Sequence, residues 1–282
     1  MKPKLLLVDG SNLLFQMFYG MPARIVNEDG IAIHGVIGFV GALLKIIRMT
    51  APTHIAVWFD GESTNERYAL DRDYKANRPD YGDCPEEEQP FSQLPYIKTA
   101  LDCLGILHKE TEHCEVDDWM AAYVSTYGCE IDTVIASFDS DFFQLVSNRV
   151  SILRYRGDAT TLVTPETVYE KFGITPMQYA DFKALVGDKA DNIKGIDGIG
   201  VKTAARLLQS YGTLDGVLKA IDKITPARLQ NALREGIDRV TLNRKLITLT
   251  GSTPLPHPIE ALAYQNRNLT TTEVLKTIGL KR

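Results

Sequence analysis

The sequence predicts an α/β fold, a mostly parallel sheet followed by a smaller helical part, on three observations. Short apolar runs stand at residues 5–8, 55–59 and 134–138. Stretches of helical period lie between them, and successive strands separated by helical crossovers pair in parallel. From about residue 165 onward the chain reads mostly helical.

The first run, Leu5-Leu6-Leu7-Val8, stops at Asp9. Between residues 36 and 49, Val36, Val40, Leu43 and Ile47 return to one face at a period of 3.6, which predicts a helix covering one side of the sheet. The second run ends at Phe59, just before Asp60. Residues 75–95 then break the pattern with Pro79, Pro85, Pro90 and Pro95, an early basic pair (Lys75, Arg78) and Glu86-Glu87-Glu88. A connection of that length predicts a mobile lid or a linker. Residues 107–109 and 150–155 are weaker strand candidates, and the run at 134–138 leads into Asp139-Ser140-Asp141.

Composition narrows the class. With 282 residues, 44% apolar and 24% charged, the chain can bury a proper core. Its 31 Lys and Arg against 36 Asp and Glu leave a net charge of −5, which excludes an evenly cationic coat. The apolar run before Asp9 is too short for a secretion signal, and the longest uncharged apolar-and-glycine run, residues 35–44, is about half of a membrane span. A cytoplasmic, non-membrane protein is expected. Cys84, Cys103, Cys114 and Cys129 form no C-x-x-C pair and no Cys/His quartet, so they read as reduced thiols.

Acids end the strands. Asp9, Asp60, Asp139 and Asp141 follow three strands of one sheet, whose carboxyl ends form the ligand crevice of an open α/β fold. Glu115, Asp117 and Asp118 open a helix, positions 115 and 118 sharing a face, and Asp188 with Asp191 repeats that spacing. Any one of these could simply cap a helix. Nine together cannot, because two carboxylates ~4 Å apart repel by ~4 kcal/mol at an effective dielectric of 20. They call for counter-ions. Oxygen ligands without His or Cys suit Mg²⁺ or Mn²⁺, and two such ions form the clamp used for in-line displacement at phosphorus. Setting the nine aside leaves 27 acidic against 31 basic residues, a phosphate-friendly remainder of +4.

A glycine hairpin follows. In Gly195-Ile196-Asp197-Gly198-Ile199-Gly200-Val201-Lys202, a nucleotide P-loop fails by one residue because Val201 separates Gly200 from Lys202. The segment fits a tight turn between helices, with Ile199 anchoring it in a core. Its N–H groups, with Lys202 and Arg206 four apart on one helical face, suit phosphate oxygens. A plain helix-turn-helix packing corner is the alternative.

These residues resemble the 5′-nuclease (flap endonuclease) superfamily, which includes the N-terminal domain of bacterial DNA polymerase I and phage 5′-exonucleases. The likeness runs nearly end to end, on Val8-Asp9-Gly10-Ser11, Phe59-Asp60-Gly61, Glu115-Val116-Asp117-Asp118, Asp139-Ser140-Asp141, Gly187-Asp188-Lys189-Ala190-Asp191-Asn192 and the hairpin. Together these are highly specific; separately, only the block at 187–204 is.

The resemblance implies a PIN-like sheet flanked by helices over residues 1–174 and a C-terminal helical region over 175–282, with a helix-hairpin-helix (H2TH) at about 187–210. It implies two metal clusters: Asp9, Asp60, Glu115, Asp117 and Asp139 in the first, and Asp118, Asp141, Asp188 and Asp191 supplying or supporting the second. A K⁺ ion held by backbone carbonyls is implied near Gly195, Ile196, Gly198 and Gly200, where with Lys202 and Arg206 the hairpin would grip duplex DNA. Residues 75–95 take the place of a helical arch over a single-stranded 5′ end. Arg67, Lys75 and Arg78 then read as phosphate-steering cations and Tyr74 as the aromatic that stacks near the scissile nucleotide. Arg72 and Glu86 read as ordinary surface. Val116 and Lys189-Ala190 depart from the family pattern, Lys189 by setting a cation between two metal-site acids.

The expected function is a stand-alone, Mg²⁺-dependent, structure-specific 5′-nuclease for DNA replication and repair, since the chain ends at Arg282. Its expected substrates are 5′ flaps, nicks and single-stranded 5′ ends, its products 5′-phosphate and 3′-hydroxyl, and its functional partners a DNA polymerase and a ligase. Asp139, Lys75 and Arg78 are the expected catalytic residues. The alternatives are a branched-DNA binding module that does not cut and a PIN-like ribonuclease; an NTPase is disfavoured by the P-loop misfit.

Overall fold

The computed structural model describes residues 2–28, 30–61, 66–78, 85 and 89–280. The chain begins with β1 (Lys4–Asp9), α1 (Gly10–Gly20), α2 (His34–Thr50), β2 (His54–Phe59) and the short α3 (Glu66–Leu70). Next come α4 (Leu94–Leu104), β3 (Leu107–Glu110), α5 (Val116–Tyr127), β4 (Asp132–Ala136), β5 (Val150–Arg154) and β6 (Thr161–Val163). The remainder is mostly helical, with one two-stranded ribbon and a largely irregular stretch over residues 248–270. It comprises α6 (Pro165–Phe172), α7 (Tyr179–Val186), β7 (Gly187–Asp188), β8 (Ile193–Lys194), α8 (Val201–Tyr211), α9 (Leu214–Lys219), α10 (Ala227–Glu235), α11 (Ile237–Ile247) and α12 (Thr271–Thr277).

The main sheet has the order β3-β2-β1-β4-β5-β6, parallel except for the antiparallel edge strand β6. The mostly parallel α/β class is therefore the observed one. From β1 the chain moves outward to β2 and β3, then crosses back to β4 on the other side, so the strand order reverses between β1 and β4. Ligand crevices open at such switch points, beyond the carboxyl ends of the strands.

The unbroken apolar runs reflect burial on both faces, as expected of parallel strands under helices. Leu6, Val8, Val57 and Phe59 join Val36, Phe39, Val40 and Leu43 of α2 on one face. On the other, Leu5, Leu7, Ala56 and Trp58 meet Trp119, Met120 and Tyr123 of α5. That second cluster runs on into the C-terminal helices through Phe182, Leu185, Ile199 and Leu208, giving the acid-bearing strand ends and the glycine hairpin one shared core.

Several boundaries differ from the sequence expectation. The regular strand ends at Ala136: Ser137 keeps one backbone bond to the Leu153 carbonyl (3.3 Å) while its hydroxyl turns onto Asp9, and the Phe138 N–H goes to the Asn12 side chain instead of continuing the ladder. Pro95 does not break structure but opens α4, at a position where its missing N–H has no helical partner to lose. Of the expected arch, residues 75–78 form a turn that packs down and residues 89–95 lead into α4; residues 79–84 and 86–88 lie outside the described residues. No described helix is long and apolar enough to cross a membrane.

Candidate active site

The tips of β1 and β4 are stitched together. Asp9 closes β1 and caps α1, its Oδ1 accepting from the Asn12 N–H at 2.9 Å. Its Oδ2 accepts from the Ser137 hydroxyl at 2.8 Å. Ser137 Oγ in turn accepts from the Asp139 N–H at 3.0 Å, and Asp139 Oδ1 accepts from the Asp141 N–H at 2.8 Å. Asn12 Oδ1 takes the Phe138 N–H at 3.0 Å. Arg154, ending β5, donates to the Phe138 carbonyl at 2.9 Å and lies over the Phe138 and Phe143 rings. Beside β1, Asp60 Oδ1 accepts from the Val116 N–H at 3.0 Å and so joins the end of β2 to the start of α5. The capping role and the clustering role thus fall on the same acids.

Burial, reinforced by the charges of neighbouring acids, raises the affinity of these carboxylates for protons. Burial, with the charges of Asp60 and Asp139, pushes Asp9 up to about 7. Burial and Asp139 hold Asp117 well above the usual carboxylate range. Asp141 is pushed up to about 7 by burial, against the pull of Lys183 and with the push of Asp139. Burial also raises Asp191, opposed by Lys75 and Arg78 and reinforced by Asp139 and Asp188. Asp139 is the common neighbour whose charge acts on all four.

Asp141, Asp188 and Asp191 bring one carboxylate oxygen each within 4.8 Å of the others, the one such acidic triple among the described residues. Lys183 reaches into it. Its buried ammonium donates to both Asp141 and Asp188, and those two carboxylates keep it protonated against burial. Lys183 is absent from the residues the sequence singles out. The available signal was a charge on the apolar face of a helix, four residues after Tyr179, which is itself buried. Lys189, the cation expected between the acids, is exposed instead, and only its carbonyl is used, accepting from Asn77 at 2.9 Å.

Glu115 gathers the opposite charge. It caps α5, and Lys75, Arg67 and the Tyr74 hydroxyl (3.2 Å) all donate to it. Burial works against its ionisation, but the nearby Lys75 and Arg67 cations outweigh it and hold the carboxyl below its ordinary value. Asp118 takes two bonds from Arg67, at 2.7 and 3.0 Å, and one from the Glu115 N–H. Its oxygens are engaged there and not in the Asp141 triple.

Three of the expected DNA-contacting residues are consequently drawn inward. Arg67 is 8% exposed, its guanidinium spent on Glu115, Asp118 and the Leu246 carbonyl, so it is no free phosphate-steering cation. Tyr74, at 3% exposed with its hydroxyl on Glu115, presents no face for a base in this conformation. Lys75 points at Glu115 as well. The physical reason is the same each time: uncompensated buried carboxylates attract any cation or donor within reach. Arg78 alone of the four stays exposed, with one nitrogen 3.0 Å from Asp191 Oδ1. The turn at 73–78 is tied over the 188–192 loop by the Lys75 N–H to the Asp191 carbonyl (2.9 Å) and by Asn192 to the Asp73 carbonyl (2.8 Å).

The hairpin divides its glycines by job. Gly187 and Gly195 are packing glycines, since a Cβ on the second would stand 2.2 Å from the Val186 carbonyl oxygen. Gly198, with φ +79°, makes the open turn, and Gly200 caps α8. Ile196 and Ile199 are buried beneath, and Lys202 and Arg206 are exposed on α8.

Two family models together match residues 4–270: "5′-3′ exonuclease, N-terminal resolvase-like domain" over residues 4–173 and "5′-3′ exonuclease, C-terminal SAM fold" over 174–270. The chain belongs to the 5′-3′ exonuclease family. As a 5′-3′ exonuclease family member it is a nuclease, a hydrolase. It is 36% identical over 273 residues to DNA polymerase I of Bacillus caldotenax, covering 95% of this chain and 30% of that protein. With the thermostable DNA polymerase I of Thermus thermophilus it shares 34% over 255 residues, 90% of this chain and 30% of the other. The chain thus spans under a third of the length of these relatives. T5 5′-exonuclease, in a structure titled as binding zinc, shares the fold at a TM-score of 0.73 and 20% identity, covering 87% and 89% of the two chains. The catalytic core of Rad2, in complex with a DNA substrate, does so at 0.62 and 14%, covering 98% and 87%.

Proposed function

We propose that this chain is a divalent-metal-dependent, structure-specific 5′-nuclease. It hydrolyses DNA phosphodiesters near the junction of a 5′ flap and trims 5′ ends, leaving 5′-phosphate and 3′-hydroxyl. The observation that carries this reading is the meeting of acids from three separate segments, Asp9, Asp139 with Asp141, and Asp188 with Asp191, at the β1/β4 switch point, on the same core as the glycine hairpin.

The donor set fits hard divalent ions. It is carboxylate oxygen throughout, and the burial and mutual repulsion that raise the proton affinity of Asp9, Asp117 and Asp141 would be relieved by a cation. Asp141, Asp188 and Asp191 would hold one Mg²⁺ or Mn²⁺, and Asp9, Asp60, Glu115, Asp117 and Asp139 another, with Asp118 positioning the first turn of α5 through Arg67. When bound, such ions supply an activated water and charge stabilisation on the leaving oxygen. The chain's own cations do the rest. Arg78 faces solvent at the rim and meets the incoming phosphate, and Lys75, one turn earlier, neutralises charge there once Glu115 is shared with a metal.

The hairpin N–H groups, Lys202 and Arg206 hold the duplex by its backbone, with K⁺ at the carbonyls of residues 195–200. The unit so described is a nuclease part over residues 1–174 and a helical part over 175–282, working alongside a DNA polymerase and a ligase.

The test is one assay: labelled flap, nicked, single-stranded and RNA substrates with Mg²⁺ or EDTA, products sized on a gel. Mg²⁺-dependent cleavage of the flap near its junction is expected. Cleavage of RNA alone, or cutting that survives EDTA, would overturn the reading.

A further inference from the structure

Four cations described above, Arg67, Lys75, Arg78 and Lys183, are each paired with a carboxylate of the site. Arg154 is different. It ends β5 at the carboxyl edge of the sheet and donates to the carbonyl of Phe138, the residue next to Asp139, yet it makes no ion pair with any described carboxylate. Two aromatic rings hold it instead. Its guanidinium carbon lies 5.0 Å from the centre of the Phe138 ring and 5.7 Å from that of Phe143.

Those two residues bracket Asp139-Ser140-Asp141-Phe142. The carbonyl bond and the Phe138 ring fix one end of the segment, and the Phe143 ring fixes the other. Phe143 is anchored in turn, with ring centres 5.2 Å from Tyr179 and 6.2 Å from Phe172. This placement leaves the Arg154 Nε buried without a partner, a cost that an aliphatic side chain on the same rings would not carry. What the guanidinium adds is shape: a flat cation lies on a ring and still bonds in its own plane, whereas an ammonium on a flexible stem is free to swing onto a carboxylate, as Lys75 and Lys183 do. We propose that Arg154 is a positioning residue for the metal site, holding both ends of the segment that carries Asp139 and Asp141 while leaving their charge to the divalent ion. This inference rests on the nuclease reading above. Groups that orient metal ligands from behind typically change metal affinity by about 10- to 100-fold when removed.

The experiment is calorimetric titration of the DNA-free full chain with Mn²⁺, comparing wild type with Arg154→Met and Arg154→Lys, alongside thermal melts in EDTA. Both variants are expected to bind Mn²⁺ at least about tenfold more weakly, Arg154→Lys included, although it keeps the charge. A residue that merely packs would lower the melting temperature and leave Mn²⁺ affinity alone, so wild-type affinity in both variants overturns the assignment. Wild-type affinity in Arg154→Lys alone overturns it too, by reducing the role to charge. Should Arg154→Met fail to fold, Arg154→Lys decides. Affinity for a blunt duplex in EDTA should be the same in all three proteins, and a loss confined to that readout would make Arg154 a DNA contact instead. A wild-type chain that binds no Mn²⁺ overturns the metal-dependent nuclease reading along with this one, whereas unchanged variants of a chain that does bind it leave that reading standing.

Discussion

Arg67 and Asp118 form a two-pronged ion pair, guanidinium nitrogens standing 2.7 and 3.0 Å from the two carboxylate oxygens. The same guanidinium donates to Glu115 and to the Leu246 carbonyl of α11, both at 2.9 Å. One buried cation thus fastens the acid-bearing start of α5 to the C-terminal helices. Arg67→Met is expected to leave both carboxylates short of a partner and to lower stability by about 3–5 kcal/mol. Urea unfolding reads the change, and a variant as stable as wild type would show that the pair holds nothing.

Asp139 is the acid whose charge reaches the most others. Asp139→Asn is expected to abolish Mg²⁺-dependent cleavage while flap binding in Ca²⁺ persists. In EDTA the same variant should melt higher than wild type by the equivalent of about 1 kcal/mol, because one repelling charge is gone. Gel assays and thermal melts measure the two effects separately; wild-type cutting rates would remove Asp139 from the chemistry.

The metal-free chain should lose stability as pH rises. Asp9 and Asp141 both sit near 7 in the folded state against about 4 when unfolded, so between those values the folded chain binds more protons. Their stabilising contribution is full below the unfolded value and is lost as pH climbs through about 7. In EDTA the melting temperature should fall from about pH 5 to about pH 8, and saturating Mg²⁺ should flatten that slope. A flat EDTA profile would mean that these acids are not crowded in solution.

The two kinds of glycine predict unequal outcomes. Gly195→Ala drives a methyl against the Val186 carbonyl and should destabilise by about 1–3 kcal/mol, loosening the ribbon that carries Asp188. Gly200→Ala meets nothing within 4 Å at an ordinary φ of −92°, so its effect should stay under about 1 kcal/mol. Equal melting temperatures for the two variants would contradict the assignment.

Much of the fold was legible because its signals are local. The apolar runs before Asp9 and Asp60 lie where β1 and β2 lie, and the period of 3.6 in residues 36–49 marks all but the ends of α2. The run at 134–138 misled at its last two residues, since apolarity cannot register a serine turning toward a distant carboxylate. Pro95 misled because proline ends some elements and starts others, and its neighbours decide which.

From composition and order alone came the count of strand-end acids, the helix-starting carboxylates and the glycine turn, since periodicity, capping and turn geometry are properties of a few consecutive residues. Packing decided which cations stand among those acids. Lys183 meets Asp141 across 42 positions of chain, Arg67 meets Glu115 across 48 and Leu246 across 179, and Tyr74 turns inward to Glu115 across 41. Such pairings follow from where the core carries each helix and from the pull of buried negative charge, and neither is written in any local pattern.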